Sequence, residues 1–217
     1  NLNQLDGSEG LVARRVRFLT AYQNAAYAQR YAQAVEKIRR AEQALPTHAK
    51  ALPLTQAVAR GYAKLLAIKD EYEVARLYSD PQFKKDLQSQ FASWERITFN
   101  LAPPLWPSAK PQKRQFGSYM WHVFRGLAAA RGLRGTWLDV FGYTQERRME
   151  QAVLKDYEAL LDEISAQLTP ANVDHAVALA RLPEKIRGYG HVKLHSITQA
   201  RQTWADLLAQ FRAAASL

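Results

Sequence analysis

Cysteine is absent from this chain of 217 residues. That absence excludes disulfides, zinc–thiolate sites and thiolate-ligated iron–sulfur clusters within it. No apolar run approaches the ~20 residues a bilayer-spanning helix needs, and no signal-like apolar segment stands out. A soluble, cytoplasmic protein with no membrane partner is the expectation. Walker loops, GxSxG, HExxH and dinucleotide fingerprints are missing, as are internal repeats and heptad runs. The five histidines (His48, His122, His175, His191, His195) include one i,i+4 pair, His191 and His195, without a third ligand in view. Neither a catalytic residue nor a metal site is therefore expected. The chain begins at Asn1, not at methionine, which points to a fragment or a processed chain.

Positive charge, by contrast, is plentiful. The net charge of +10 favours acidic partners: nucleic acid, a phosphate-bearing cofactor or an acidic protein. Between Lys110 and Arg148 stand eight basic residues against Asp139 and Glu146, so 8 − 2 = +6 of that charge lies in one block. Lys113-Arg114 and Arg147-Arg148 bracket it, with aromatics interleaved as in single-strand binders. Helical amphipathicity accounts for most of those aromatics as core, and many surface arginines serve only solubility.

The periodicity is helical nearly throughout. Asp6 to Glu9 has capping-box spacing, and the stripe Val12, Val16, Leu19, Ala26, Tyr31, Val35, Ile38 predicts one long helix to about Ala44, ended by Pro46. Tyr22, Tyr27 and Tyr31 are expected to pack with their hydroxyls at the surface. Helical spacing resumes from Val58 through Ala75, carrying a charged face at Lys69–Arg76 that reads as solvated. Asp80-Pro81 starts the next helix, to about Phe91. Arg96–Leu101 alternates as a strand, and Ala102–Pro107 reads as an extended, polyproline-like stretch. A helix with Phe116, Tyr119, Met120, Val123, Phe124 and Leu127 on its apolar side runs to about Gly132, and another follows Thr144. Thr169-Pro170 then caps a helix lasting to about Leu182, and a terminal helix carries Ile197, Trp204 and Phe211. The expectation is an all-α fold with one short extended excursion near residues 96–107. It divides into an N-terminal lobe, 1–100, and a basic C-terminal lobe, 101–217, or forms a single domain.

One corner invites a functional reading. In Ile186-Arg187-Gly188-Tyr189-Gly190-His191-Val192-Lys193, two glycines permit φ > 0 beside three basic residues at the opening of a helix. Backbone N–H groups and positive charge there would suit an anion. The plainer account is that Gly188 and Gly190 end one helix and admit the next.

Seven motifs in order carry a resemblance over nearly the whole chain. They are Leu11–Arg15 with Ala21–Tyr27, Lys69–Tyr78, Leu101–Pro104, Lys113–Gly117, Gly132–Thr136, Phe141–Arg148 and Ile186–Lys193. Together they resemble the C-terminal domain of the large bacterial indolepyruvate ferredoxin oxidoreductases. Gln115, Ser118, Tyr119, Val140 and Tyr189 depart from that pattern, and none of these removes a charged group of the corner. The resemblance implies a parent polypeptide that oxidatively decarboxylates aryl 2-oxoacids to aryl-acetyl-CoA. That parent would use thiamine diphosphate with Mg2+, iron–sulfur clusters and CoA, reduce ferredoxin, and be a homo-oligomer. Without cysteine or a thiamine motif, this chain would bind none of those cofactors as a catalyst, and its partners would be the upstream catalytic domains.

Three roles follow. The first is a structural module packed on those domains. The second is an anion or CoA-phosphate clamp formed by Arg114, Arg147, Arg148, Arg187, His191 and Lys193. The third is a free-standing basic binder of nucleic acid.

Overall fold

The structure, a computed structural model, describes residues 8–46, 51–91, 93, 95–101, 114–188 and 190–215. Among these, helices dominate: α1 Ser8–Tyr22, α2 Ala25–Gln43, α3 Pro53–Leu66, α4 Glu71–Ser79 and α5 Pro81–Gln90. Two strands follow, β1 Phe99–Leu101 and β2 Arg114–Phe116. Then come α6 Met120–Ala129 with a 3-10 turn at Ala130–Leu133, α7 Gln145–Gln167, α8 Val173–Lys185 and α9 Gly190–Ala215. The fold is all-α with one small β excursion. No helix among the described residues is long and apolar enough to cross a membrane.

The chain forms two compact units, one from Asn1–Ala67 with Gln145–Leu217 and the other from Ile68–Thr144. A division near residue 100 would instead cut β1, whose antiparallel register pairs Phe99 with Phe116, Asn100 with Gln115 and Leu101 with Arg114. The second strand was not legible in the sequence, because three residues are too few for period-2 alternation to stand out. The polyproline-like stretch 102–107 and the capping acid Asp6 lie outside the described residues, as does the side chain of Glu9.

In the first unit, the single N-terminal helix expected to Ala44 is two helices. Asn24 adopts φ −167° and ψ 177°, and its side chain accepts from the Tyr27 N–H, so it ends α1 and caps α2. Periodicity alone does not register such a break, since the apolar stripe resumes within two residues. The core then fills with tyrosine. Tyr31, Tyr62 and Tyr157 stack with ring centroids 5.9 and 6.0 Å apart, and Trp204 meets Tyr157 edge-on at 5.9 Å.

Their hydroxyls are not at the surface. Tyr31 donates to the Ala59 carbonyl and Tyr157 to that of Ala180, each at 2.9 Å, while Tyr27 donates to Leu66 and Tyr62 to Glu158. Burial disfavours the phenolate and pushes the Tyr31, Tyr62 and Tyr157 pKa values up.

Gly61 allows α3 and α8 to approach, because a Cβ there would lie 2.5 Å from the Ala180 carbonyl oxygen. The start of α3 is held by Glu42, which is fully buried. Its carboxylate accepts from the N–H groups of Leu54 and Thr55 and from the Thr55 hydroxyl. A carboxylate so placed satisfies orphan donors and complements the positive helix end. The α8 start is shifted from the expected Thr169-Pro170. Buried Asn172 precedes it, bridging the Thr169 N–H and the Gln167 carbonyl, and Pro183 is accommodated inside the helix.

The second unit has a smaller, aromatic core. Phe99, Phe124, Met120 and Ala75 are buried, with Tyr78 stacked on Phe124 at 5.0 Å and edge-on to Phe99 at 5.3 Å. The helical spacing from Val58 through Ala75 is interrupted at 67–70. Asp70, in extended conformation, accepts from the Glu73 N–H and starts α4. The charged face is not solvated either: Asp70 and Glu73 are buried and pair with Arg134 and Arg76. Asp80 caps α5 through the Gln82 N–H, as its pairing with Pro81 predicts. Phe116 lies in β2, so the helix expected from it starts later, at Met120, and Tyr119 and Val123, expected on its apolar side, are exposed.

Candidate functional site

The glycine corner belongs to the first unit. The end of α8 is tied off where the Ile186 N–H donates to the Pro183 carbonyl. The Arg187 N–H donates to the Ser196 hydroxyl at 3.0 Å, and that hydroxyl donates to the Lys185 carbonyl at 3.1 Å. Gly188 sits at φ +92°, and a Cβ there would meet the Val192 side chain at 2.6 Å. Glycine is required on both counts, and α9 begins two residues later. Ser196, one turn into α9, was not singled out by sequence reasoning, because a lone serine carries no pattern.

Two of the expected anion contacts turn inward. Glu150 on α7 is buried, with its side chain only 5% exposed, and accepts from Arg147 at 2.6 Å and from Lys193. The cations neutralise this carboxylate, and together they fasten the first turns of α7 to α9. Glu150 was missed from sequence, although its i,i+3 spacing to Arg147 was a usable signal.

Arg187 and Arg148 are exposed. Tyr189 and the side chain of His191 lie outside the described residues. Lys64 reaches the corner from α3, donating to the Glu184 carbonyl at 3.0 Å near the negative end of α8. Burial lowers the pKa of Lys64, and repulsion from Arg187 and Lys193 lowers it further, against the opposing pull of Glu184. The corner thus concentrates positive charge, part of it already paired.

Arg114 lies exposed on β2, in the other unit. The basic block therefore does not form one site-bearing element. It is shared between two units, with Lys110 and Lys113 outside the described residues. Within it, Arg134 is committed to Asp70 at 2.5 Å, and its guanidinium lies 5.5 Å from the Tyr72 ring centroid. Among the described residues, no group of three or more His, Cys, Asp or Glu is placed to hold a metal ion.

The second unit carries a feature that patterning did not reveal. Residues 134–144 form a loop wound around the buried Asp139. Its carboxylate accepts from the Gly135 N–H at 2.8 Å, the Phe141 N–H at 3.2 Å and the Tyr72 hydroxyl at 3.3 Å. The Tyr72 hydroxyl is pushed up to about 12 by burial, then by the negative charge and hydrogen bond of Asp139. The Tyr143 hydroxyl crosses the tip to the Trp137 carbonyl at 2.8 Å. Held on this polar frame, Trp137 is 81% exposed, with Tyr143 at 58%, Val140 at 55% and Leu138 at 45%. A rigid loop that presents an indole and two aliphatic side chains to solvent has the composition of a binding hot spot.

No curated protein and no solved structure matches the chain. A family model does, over residues 8–206, nearly the whole length; the chain belongs to DUF6537, a family of unknown function.

Proposed function

We propose that this chain is a non-catalytic helical domain of an indolepyruvate ferredoxin oxidoreductase, with a structural role of packing against the upstream catalytic domains. The parent enzyme would carry the thiamine diphosphate, Mg2+, iron–sulfur clusters and CoA chemistry, and would reduce ferredoxin. The observation that carries the packing role is the Asp139-framed loop. Exposed Trp137, Leu138, Val140 and Tyr143 are a costly arrangement unless they are covered, and the frame removes the entropy cost of ordering them. The internal use of Arg147 and Lys193 by Glu150 points the same way, since it withdraws two cations from ligand binding.

The experiment is to co-express the chain with the remainder of such an oxidoreductase polypeptide and measure association by ultracentrifugation. Trp137→Ala is expected to weaken it by about 2 kcal/mol, the loss typical of a hot-spot aromatic. Equal association of the variant and the parent chain would refute the loop as the contact.

A second reading is favoured by exposed Arg187 and by Lys64 at the corner, beside Lys193, which Glu150 already engages. There the site would bind CoA phosphate or an anionic substrate. Calorimetric titration with CoA and dephospho-CoA tests it, and Arg187→Ala should abolish any preference for the 3′-phosphate.

A further inference from the structure

A pocket of about 790 Å³ opens within the second unit, between the end of α4, the first turns of α5, the approach to β1 and the start of α6. Three cations line it from three segments: Lys84 on α5, Arg96 before β1 and Arg125 on α6. All three are exposed, and among the described residues none of them makes an ion pair. Of the two lining carboxylates, that of Asp80 is engaged by the Gln82 N–H, which leaves Glu95 as the other acid. One wall is the indole of Trp121, fixed by Phe99 edge-on at 5.3 Å and by Phe83 at 6.0 Å. The Ser79 hydroxyl oxygen is buried at the lining without a hydrogen-bond partner among the described residues. A buried polar atom in that state costs free energy that a ligand hydrogen bond would recover.

Volume and chemistry narrow the ligand class. The volume falls within the ~300–1,000 Å³ of small-molecule sites and far exceeds what a lone phosphate needs. Unpaired cations from three directions match the several oxygens of a phosphate group, and a fixed indole offers a face or edge to a flat ring.

We propose that this pocket binds a mononucleotide-class ligand, its ring against Trp121 and its phosphates on Lys84, Arg96 and Arg125. Glu95 is then at hand for the polar edge of the ring or for the sugar. The site is separate from the glycine corner, and the inference stands without the oxidoreductase reading.

The test is an equilibrium titration of the full chain with ADP, adenosine and inorganic phosphate in parallel. ADP is expected to bind saturably, with adenosine and phosphate each at least about tenfold weaker, because each lacks one half of the recognition. Arg125→Ala should weaken ADP by about tenfold, the worth of one charge-assisted hydrogen bond. The triple variant Lys84→Ala/Arg96→Ala/Arg125→Ala should lose binding while keeping its far-ultraviolet circular dichroism, since all three side chains are exposed. Absence of saturable ADP binding at millimolar concentration overturns the proposal. So does an unchanged affinity in the triple variant, or phosphate binding as tightly as ADP, which would reduce the pocket to a charged patch.

Discussion

The two units solve the same problem with different materials. The first holds itself together by apolar area, with long helices whose stripes converge on stacked Tyr31, Tyr62 and Tyr157 and on a broad aliphatic core. The second has short helices and a small aromatic cluster around Phe99 and Phe124. Both units bury carboxylates, Glu42 and Glu150 in the first, but the second sets three, Asp70, Glu73 and Asp139, against its smaller core, each satisfied by arginine, backbone N–H or phenol. A small body buries too little surface for a generous core, so each polar bond carries a larger share. The consequence is positional control: the second unit fixes a loop and a pocket rim in place, whereas the first chiefly resists unfolding.

The largest test of that contrast is Tyr157→Ala. It opens a cavity at the end of the tyrosine stack, where Trp204 meets Tyr157, and should cost about 4 kcal/mol, read by denaturant unfolding. A loss below about 1 kcal/mol would mean that the stack is not the first unit's core. Asp139→Ala comes next, at about 3 kcal/mol, because it strands two backbone N–H groups and a buried phenol. Hydrogen exchange should rise in peptides from 134–144 and stay unchanged in α7 and α9. An equal rise in both units would break the comparison.

Alkaline pH gives a smaller and graded effect. A tyrosine whose folded pKa is raised stays neutral while the unfolded chain ionises. Its contribution is therefore full below about pH 10 and declines as pH rises toward the folded value. The first unit holds Tyr31, Tyr62 and Tyr157 in this condition, and the second holds Tyr72 at about 12. Exchange protection should fall more steeply in the first unit between pH 10 and 11, and Tyr72→Phe should flatten only the second unit's decline. Parallel slopes in the two units would contradict this assignment. Smallest of all is Trp137→Ala, expected to shift stability by less than about 0.5 kcal/mol because its side chain is mostly exposed. A larger shift in a thermal melt would place Trp137 in the fold instead of at a contact surface.

The corner at Gly188 could be anticipated because glycine between helical patterns is a local signal, and its φ of +92° bears that out. The partners of its cations could not. Lys193 and Glu150 lie 43 positions apart, and nothing local links them. The same holds for Arg134 and Asp70, 64 apart, and for Tyr72 and Asp139, 67 apart. Read locally, Lys69–Arg76 is a solvated stripe; placed against Arg134 it becomes a buried network. The pocket around Trp121 is likewise assembled from four segments, each unremarkable by itself.

What the amino-acid sequence determined on its own was therefore the all-α character, the capped start at Asp80-Pro81 and most helix existence, all of which depend on neighbours within a turn or two. The unit boundaries at 67 and 144 and the choice between paired and available cations were decided only by tertiary structure. Those outcomes depend on which distant groups share a low-dielectric interior, and a charge's role there is set by its partner in space and not by its position along the chain.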